Sequence, residues 1–254
     1  SASLWHAGVP ESCMVVGKAC FQPNAGVIGS MGMVSALRSG MFTPPRTVPR
    51  SIWIQRSATA GCNSRPSGRD IQMRIKWRFF ADGPIRFAPA VVGGRVYFGS
   101  DDGFVYCLDA ENGALIWRFQ AAPQERLLLG NERLISTWPV RGAPVVDENR
   151  VYFAAGIWPF MGVFVYCMDA RDGSLIWRND DTSAIYIDQP HDSPAFAGVA
   201  PQGYCTLAGD VLLVPGGRTA PAGFDKATGR FLFFHLGENK QTGDYKVAAN
   251  GRYF

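Results

Sequence analysis

With 254 residues, 47% hydrophobic and 18% charged, the chain can bury a sizeable core, and global disorder is excluded. The net charge of +4 is unevenly spread: residues 1–69 hold seven Lys/Arg against one acid, and the remainder holds 18 basic and 20 acidic residues, which gives the remainder no nucleic-acid surface by bulk charge. No apolar run is long enough for a spanning helix, and the six cysteines form no Cys-x-x-Cys pair on which zinc or thioredoxin-type chemistry could rest.

Residues 1–72 show neither period 2 nor period 3.6. They are basic and poor in acids, and they are read as an extension outside the organised part of the chain, which spans 73–254. From Met73 the character changes. The segment Trp77-Arg78-Phe79 matches Trp117-Arg118-Phe119 further on and is expected to be the last strand of a sheet.

A full unit follows. Ala88–Val92 reads as a short strand, and Gly93-Gly94 as a two-residue hairpin turn. In Arg95–Gly99 the alternation puts Val96 and Phe98 on one face and Tyr97 on the other. Asp101-Asp102-Gly103 turns the chain into Phe104–Leu108. Asp109 to Gly113 turns it again into Ala114–Phe119, with Asn112-Gly113 supplying the positive φ of a tight hairpin. Cys107 and Cys167 lie on equivalent apolar strands and read as small buried hydrophobes.

The unit recurs. Asp169, Gly173 and Trp177 stand 60 positions after Asp109, Gly113 and Trp117. A more divergent copy carries Asp225, Gly229 and Phe233. The second copy has a longer turn, Gly156 to Gly162, and two connectors separate the units, 120–140 and 180–199, both read as loops. Four short antiparallel strands repeated along a chain imply an all-β fold built as blades of a β-propeller.

The repeat Val-Tyr-x-x-(Leu/Met)-Asp-Ala-x-x-Gly-x-Leu-Ile-Trp-Arg resembles that of pyrroloquinoline-quinone (PQQ)-type, quinoprotein alcohol dehydrogenase-like β-propellers. Longer phrases such as YFAAGIWPF are similar to planctomycete-type multi-module proteins. The resemblance implies an incomplete propeller of about three to four four-stranded blades out of seven or eight, hence a fragment. It further implies that Asp109, Gly113, Trp117, Asp169, Gly173, Trp177, Asp225 and Gly229 form a blade-docking girdle. Phe233 lacks the indole donor of the tryptophan it replaces. The envelope or periplasm is the location that the resemblance implies.

Fold does not transfer activity. Quinone-dependent members of the superfamily hold calcium with Glu, Asn and Asp and place two adjacent cysteines over the cofactor. This chain has no Cys-Cys pair. No Gly-x-Ser-x-Gly, Walker or zinc-binding pattern is present, and the three histidines lie far apart, so no catalytic residue is assigned. Asp188, His191 and Asp192 are too weak a signal for a metal site. The expectation is a non-catalytic scaffold or binding module of a larger envelope protein, with no cofactor. The alternative is part of a dehydrogenase using PQQ and calcium to oxidise alcohols or sugars.

Five residues are candidates for binding. Arg86 and Arg141 head the innermost strand of successive units, where paired guanidiniums suit carboxylate or phosphate. Trp158 and Phe160 lie in the long turn as contact aromatics. Arg218 follows Gly216-Gly217 and could join an anion site. The expected partners are further blades or modules of the same polypeptide and a protein or small-anion ligand, with no nucleic acid.

Overall fold

The computed structural model describes residues 14–16, 51–56, 74–130, 132–183, 185–188, 193–217, 219–235 and 243–250. Among these residues the regular elements are strands and one 3₁₀ turn at Pro159–Met161, and no helix is long and apolar enough to cross a membrane.

Four sheets follow one another along the chain. The first joins β1 (Met14–Val16), β2 (Ser51–Arg56) and β3 (Arg74–Phe80), with β2 antiparallel to β3. The strand expected around Trp77 therefore takes its partner from Ser51–Arg56, upstream of position 72. The second sheet orders β4 (Ala90–Val92), β5 (Arg95–Gly99), β6 (Phe104–Asp109) and β7 (Leu115–Gln120) as consecutive antiparallel neighbours. The connector after it carries its own hairpin, β8 (Leu127–Gly130) with β9 (Arg133–Ser136).

The third sheet repeats the four-strand order in β10 (Val140–Asp147), β11 (Arg150–Ala155), β12 (Phe164–Asp169) and β13 (Leu175–Asn179). A second hairpin, β14 (Ile185–Asp188) with β15 (Pro194–Ala197), fills the next connector. Then β16 (Gly203–Tyr204) pairs in parallel with β10 at the sheet's inner edge. The fourth sheet is β17 (Thr206–Ala208), β18 (Val211–Val214), β19 (Ala222–Asp225) and β20 (Phe231–Phe233). The architecture is that of β-propeller blades. Both connectors, read from sequence as loops, are hairpins, because Leu127–Leu129 faces Leu134-Ile135 and Ile185-Tyr186-Ile187 faces Ala195 to Ala197.

The alternation within strands explains how the sheets stack. Successive side chains of a strand leave opposite faces, so a strand buried on both faces is apolar throughout. Val96 and Phe98 of β5 join Trp77, Ile85 and Leu108 in the core between sheets one and two. Tyr97, from the other face, joins Trp117, Val151, Phe153 and Met168 between sheets two and three. Tyr152 and Ala154 of β11 then face Trp177, Leu212 and Phe224 between sheets three and four. No sheet has a core of its own; each core is the seam between two neighbours, as in any one-dimensional repeat stack. Cys107, Cys167 and Cys205 are buried and free, and burial pushes their thiols up to about 11, 11 and 12.

Candidate functional site

Strand order gives the stack two ends. In the second, third and fourth sheets one end holds short turns: 93–94, 109–113, 148–149, 169–173, 209–210 and 225–229. The other holds the turns at 100–103 and 156–162 and both hairpin-bearing connectors.

The short-turn end is a docking device. Asp109 accepts from the backbone N–H of Glu111 (2.8 Å) and Asn112 (3.0 Å). Asp169 accepts from Arg171 N–H (2.7 Å), and Asp225 from the N–H groups of Ala227 (3.1 Å) and Thr228 (2.8 Å). Such caps let Asp hold a turn without helix or ladder bonds. Gly113, Gly173 and Gly229 close the turns at φ 75°, 74° and 75°. Asn112 is not in the left-handed region: the connection is a longer turn with a bulge at Cys107/Leu108, not a two-residue Asn-Gly turn. Gly93-Gly94, at φ 58° and 75°, is of the two-residue kind.

Each glycine also leaves room for the previous sheet's tryptophan. A Cβ on Gly113 would stand 2.5 Å from the Trp77 ring, one on Gly173 2.8 Å from Trp117, and one on Gly229 2.4 Å from Trp177. The indole N–H groups then cross the seam: Trp77 donates to Ala110 O (3.1 Å), Trp117 to Ala170 O (3.2 Å) and Trp177 to Lys226 O (3.1 Å). Lys226 adds an ion pair to Asp147 (2.8 Å) across the last seam. In the fourth sheet Phe233 stands at the tryptophan position and its ring covers Gly223 of its own sheet.

The long-turn end holds a buried ionic cluster. Asp101, 1% exposed, accepts from Arg86 Nε (2.6 Å) and from Arg141 Nε (2.6 Å) and Nη2 (3.1 Å). The two guanidiniums hold this carboxylate between them, and Arg141 thereby ties the third sheet to the turn of the second. Burial lowers the Arg141 guanidinium below its ordinary value, and Asp101 opposes that. The neighbouring Asp102 accepts from Tyr106 OH (2.8 Å) and Phe104 N–H (2.9 Å); burial pushes its carboxyl up and, with Asp102 beside it, the Tyr106 hydroxyl up as well. Asp101 carried no signal in the sequence reading, since Asp-Asp-Gly is ordinary turn chemistry.

Three insertions build the rest of this end. The β8–β9 hairpin is anchored at its base, where Ser136 N–H donates to Asp101 O (2.7 Å) and Thr137 N–H to Arg126 O (2.8 Å). Trp138 follows it and donates its indole N–H to Met161 O (2.7 Å), pinning the 156–162 turn. In that turn Trp158 is half-buried and Phe160 is exposed. β15 runs alongside Pro159–Met161. Asp188 is exposed on β14, whereas His191, Asp192 and Arg218 lie outside the described residues. The most exposed large apolar side chains among the described residues all sit on these insertions: Leu127 58%, Leu129 76%, Leu134 59%, Phe160 67%, Tyr186 60% and Phe196 58%. Every other one is at most 51% exposed, the value at Phe80.

The chain is similar to several known proteins. The chain is 38% identical over 86 residues to the dehydrogenase subunit of a quinone alcohol dehydrogenase from Gluconobacter oxydans, covering 34% of this chain and 11% of that protein. It is 25% identical over 196 residues to polyvinylalcohol dehydrogenase of a Sphingopyxis species, covering 71% of this chain and 27% of that one. The chain thus spans under a third of the length of either relative. Among solved structures, quinohemoprotein alcohol dehydrogenase from Comamonas testosteroni aligns with a TM-score of 0.47 and 16% identity, over 64% of this chain and 30% of that one. A family model described as outer membrane protein assembly factor BamB matches residues 52–245, well over half of the sequence, and the chain belongs to that PQQ-like β-propeller repeat family.

Proposed function

We propose that the chain is a non-catalytic propeller scaffold of a larger cell-envelope or periplasmic protein, and that it binds a protein partner through its long-turn end. One observation carries this reading: among the described residues, the six most exposed large apolar side chains all stand on the three insertions of that end. Apolar groups held on a rigid frame and left in water mark contact surfaces. The ionic cluster beneath them supports the same reading, because Arg86 and Arg141 both donate their Nε groups to Asp101 and so brace the turns on which the insertions stand. The test is retention of partner proteins by the whole protein. Replacing Leu129, Phe160 and Phe196 together by Ser abolishes retention while the far-UV spectrum is kept; unchanged retention refutes the reading.

A second reading follows from the relatives' names, a quinone alcohol dehydrogenase and a polyvinylalcohol dehydrogenase: part of a dehydrogenase acting on alcohols, with PQQ and calcium as the resemblance of the repeat implies. The buried carboxylate of the long-turn end, Asp101, is held between two guanidiniums. Reconstituting the whole protein with PQQ and calcium separates the readings. The scaffold reading expects no dye reduction with primary alcohols; calcium-dependent reduction would replace it.

A further inference from the structure

Tyr186 and Phe196 face each other across β14 and β15, their rings 5.1 Å apart and T-shaped. β15 lies alongside the turn that exposes Phe160, so two separate insertions bring three aromatic side chains to one rim. Asp188 is two residues from Tyr186 on the same strand and so shares its face. Between Arg178 and Tyr204 the sequence holds four Asp (180, 181, 188 and 192) and no Lys or Arg. Asp180 is paired with Arg178 (2.7 Å), whereas Asp181 and Asp188 are exposed. β14 pairs with β15 alone, so among the described residues its other edge carries no strand.

We propose that this rim takes an extended basic segment of a partner protein, added as a strand to the free edge of β14. The proposal rests on the long-turn end being the contact face and goes further in naming what binds there. An open edge supplies N–H and C=O groups to an incoming strand, and its alternate side chains supply the choice of partner. On the face shared by Tyr186 and Asp188, the incoming strand meets an aromatic pair and then, two residues on, a carboxylate. The chemistry this selects is an apolar residue and a Lys or Arg spaced two apart. The ring faces themselves attract cations, and the uncompensated acids turn acidic segments away.

The test is fluorescence anisotropy of the intact chain with a labelled octapeptide, Thr-Lys-Thr-Val-Thr-Lys-Thr-Val, which sets Lys and Val two apart on one face. Binding is expected, weakening as salt rises. A Glu-for-Lys peptide is expected to bind at least about tenfold more weakly, and Phe196→Ser to weaken the Lys peptide by a similar factor. Asp188→Asn, a surface change that leaves packing intact, is expected to weaken it about fivefold. Equal binding of the Glu peptide, no binding of the Lys peptide, or an unchanged affinity in Asp188→Asn overturns the proposal. Self-association by sedimentation that Phe196→Ser abolishes would make a second copy the occupant and also overturn it. If partner retention falls with Leu127→Ser and Leu129→Ser but survives Tyr186→Ser and Phe196→Ser, the contact face stands and this occupant falls. If neither pair affects retention, both readings fall.

Discussion

Tyr97 and Tyr152 hold equivalent positions in successive repeats, and their hydroxyls have opposite fates. Tyr97 OH donates to Ala170 O (3.0 Å), a carbonyl that also accepts from Arg95 Nη1 and Trp117 Nε1. Tyr152 OH is buried with the Arg150 guanidinium nearby, but it makes no hydrogen bond of good geometry. A buried hydroxyl that donates contributes about 0.5–1.5 kcal/mol, and one that does not opposes folding through its lost hydration. Tyr97→Phe should therefore destabilise by about 1 kcal/mol, and Tyr152→Phe should be neutral or stabilising. Urea midpoints of the two variants, compared at equal slope, check this; a larger loss in Tyr152→Phe would show that its hydroxyl has a partner in solution. Burial holds both phenols up near about 12, so neither ionises in the range where such a comparison is made.

The Asp-to-Gly turn makes two demands on its glycine, and the chain separates them. Gly93 needs only positive φ (58°), with open space where a Cβ would go, so Gly93→Ala should cost about 1 kcal/mol. Gly113 needs positive φ (75°), and its Cβ would strike the Trp77 ring. Gly113→Ala should therefore cost about 2 kcal/mol more than Gly93→Ala, since the ring must leave its seat. Thermal midpoints rank the pair; equal losses would mean that the seam is looser than its contacts suggest. The carboxylates of these turns set an acid limit. The Arg171 side chain and backbone N–H pull Asp169 down to about 2, and the N–H of Ser174 and the hydroxyl of Thr228 lower Asp172 and Asp225. Depressed carboxylates stabilise fully above their ordinary range near about 4, and that support is lost as pH falls toward 2. Asp102 runs the other way: burial raises it, so its charge opposes folding and protonation relieves it. The double variant Asp169→Asn, Asp225→Asn should lose less stability between pH 5 and pH 3 than the parent; parallel curves would assign acid sensitivity elsewhere.

Stability of the whole molecule runs through seams, because no sheet buries its faces alone. Trp177 spans the seam between the third and fourth sheets, with its ring on Gly229 and its N–H on Lys226 O. Trp177→Ala should remove about 3–5 kcal/mol from that seam. Hydrogen exchange should then rise in 206–233 while 95–120 stays protected. A uniform rise across the chain would mean that the stack melts as a single unit instead.

The divide between what could be read and what could not follows from the range of the forces involved. Turn residues, strand alternation and the 60-residue offset of Asp109, Gly113 and Trp117 are local or repeated, so the sequence by itself determined the second, third and fourth sheets, their order and the propeller architecture, whereas β2 of the first sheet lies in the aperiodic stretch before position 72. The hairpins at 127–136 and 185–197 escaped because each is a single short apolar alternation, and two four-residue strands become stable only when a larger frame anchors their base. Asp101 could not be assigned for a different reason. Its partners stand 15 and 40 residues away, and only the stacked sheets bring Arg86 and Arg141 to one carboxylate. The tertiary structure likewise decided that Phe160, Tyr186 and Phe196 share a rim. Which exposed side chains become neighbours depends on how rigid sheets are placed in space, and nothing in the local preferences of the chain encodes that placement.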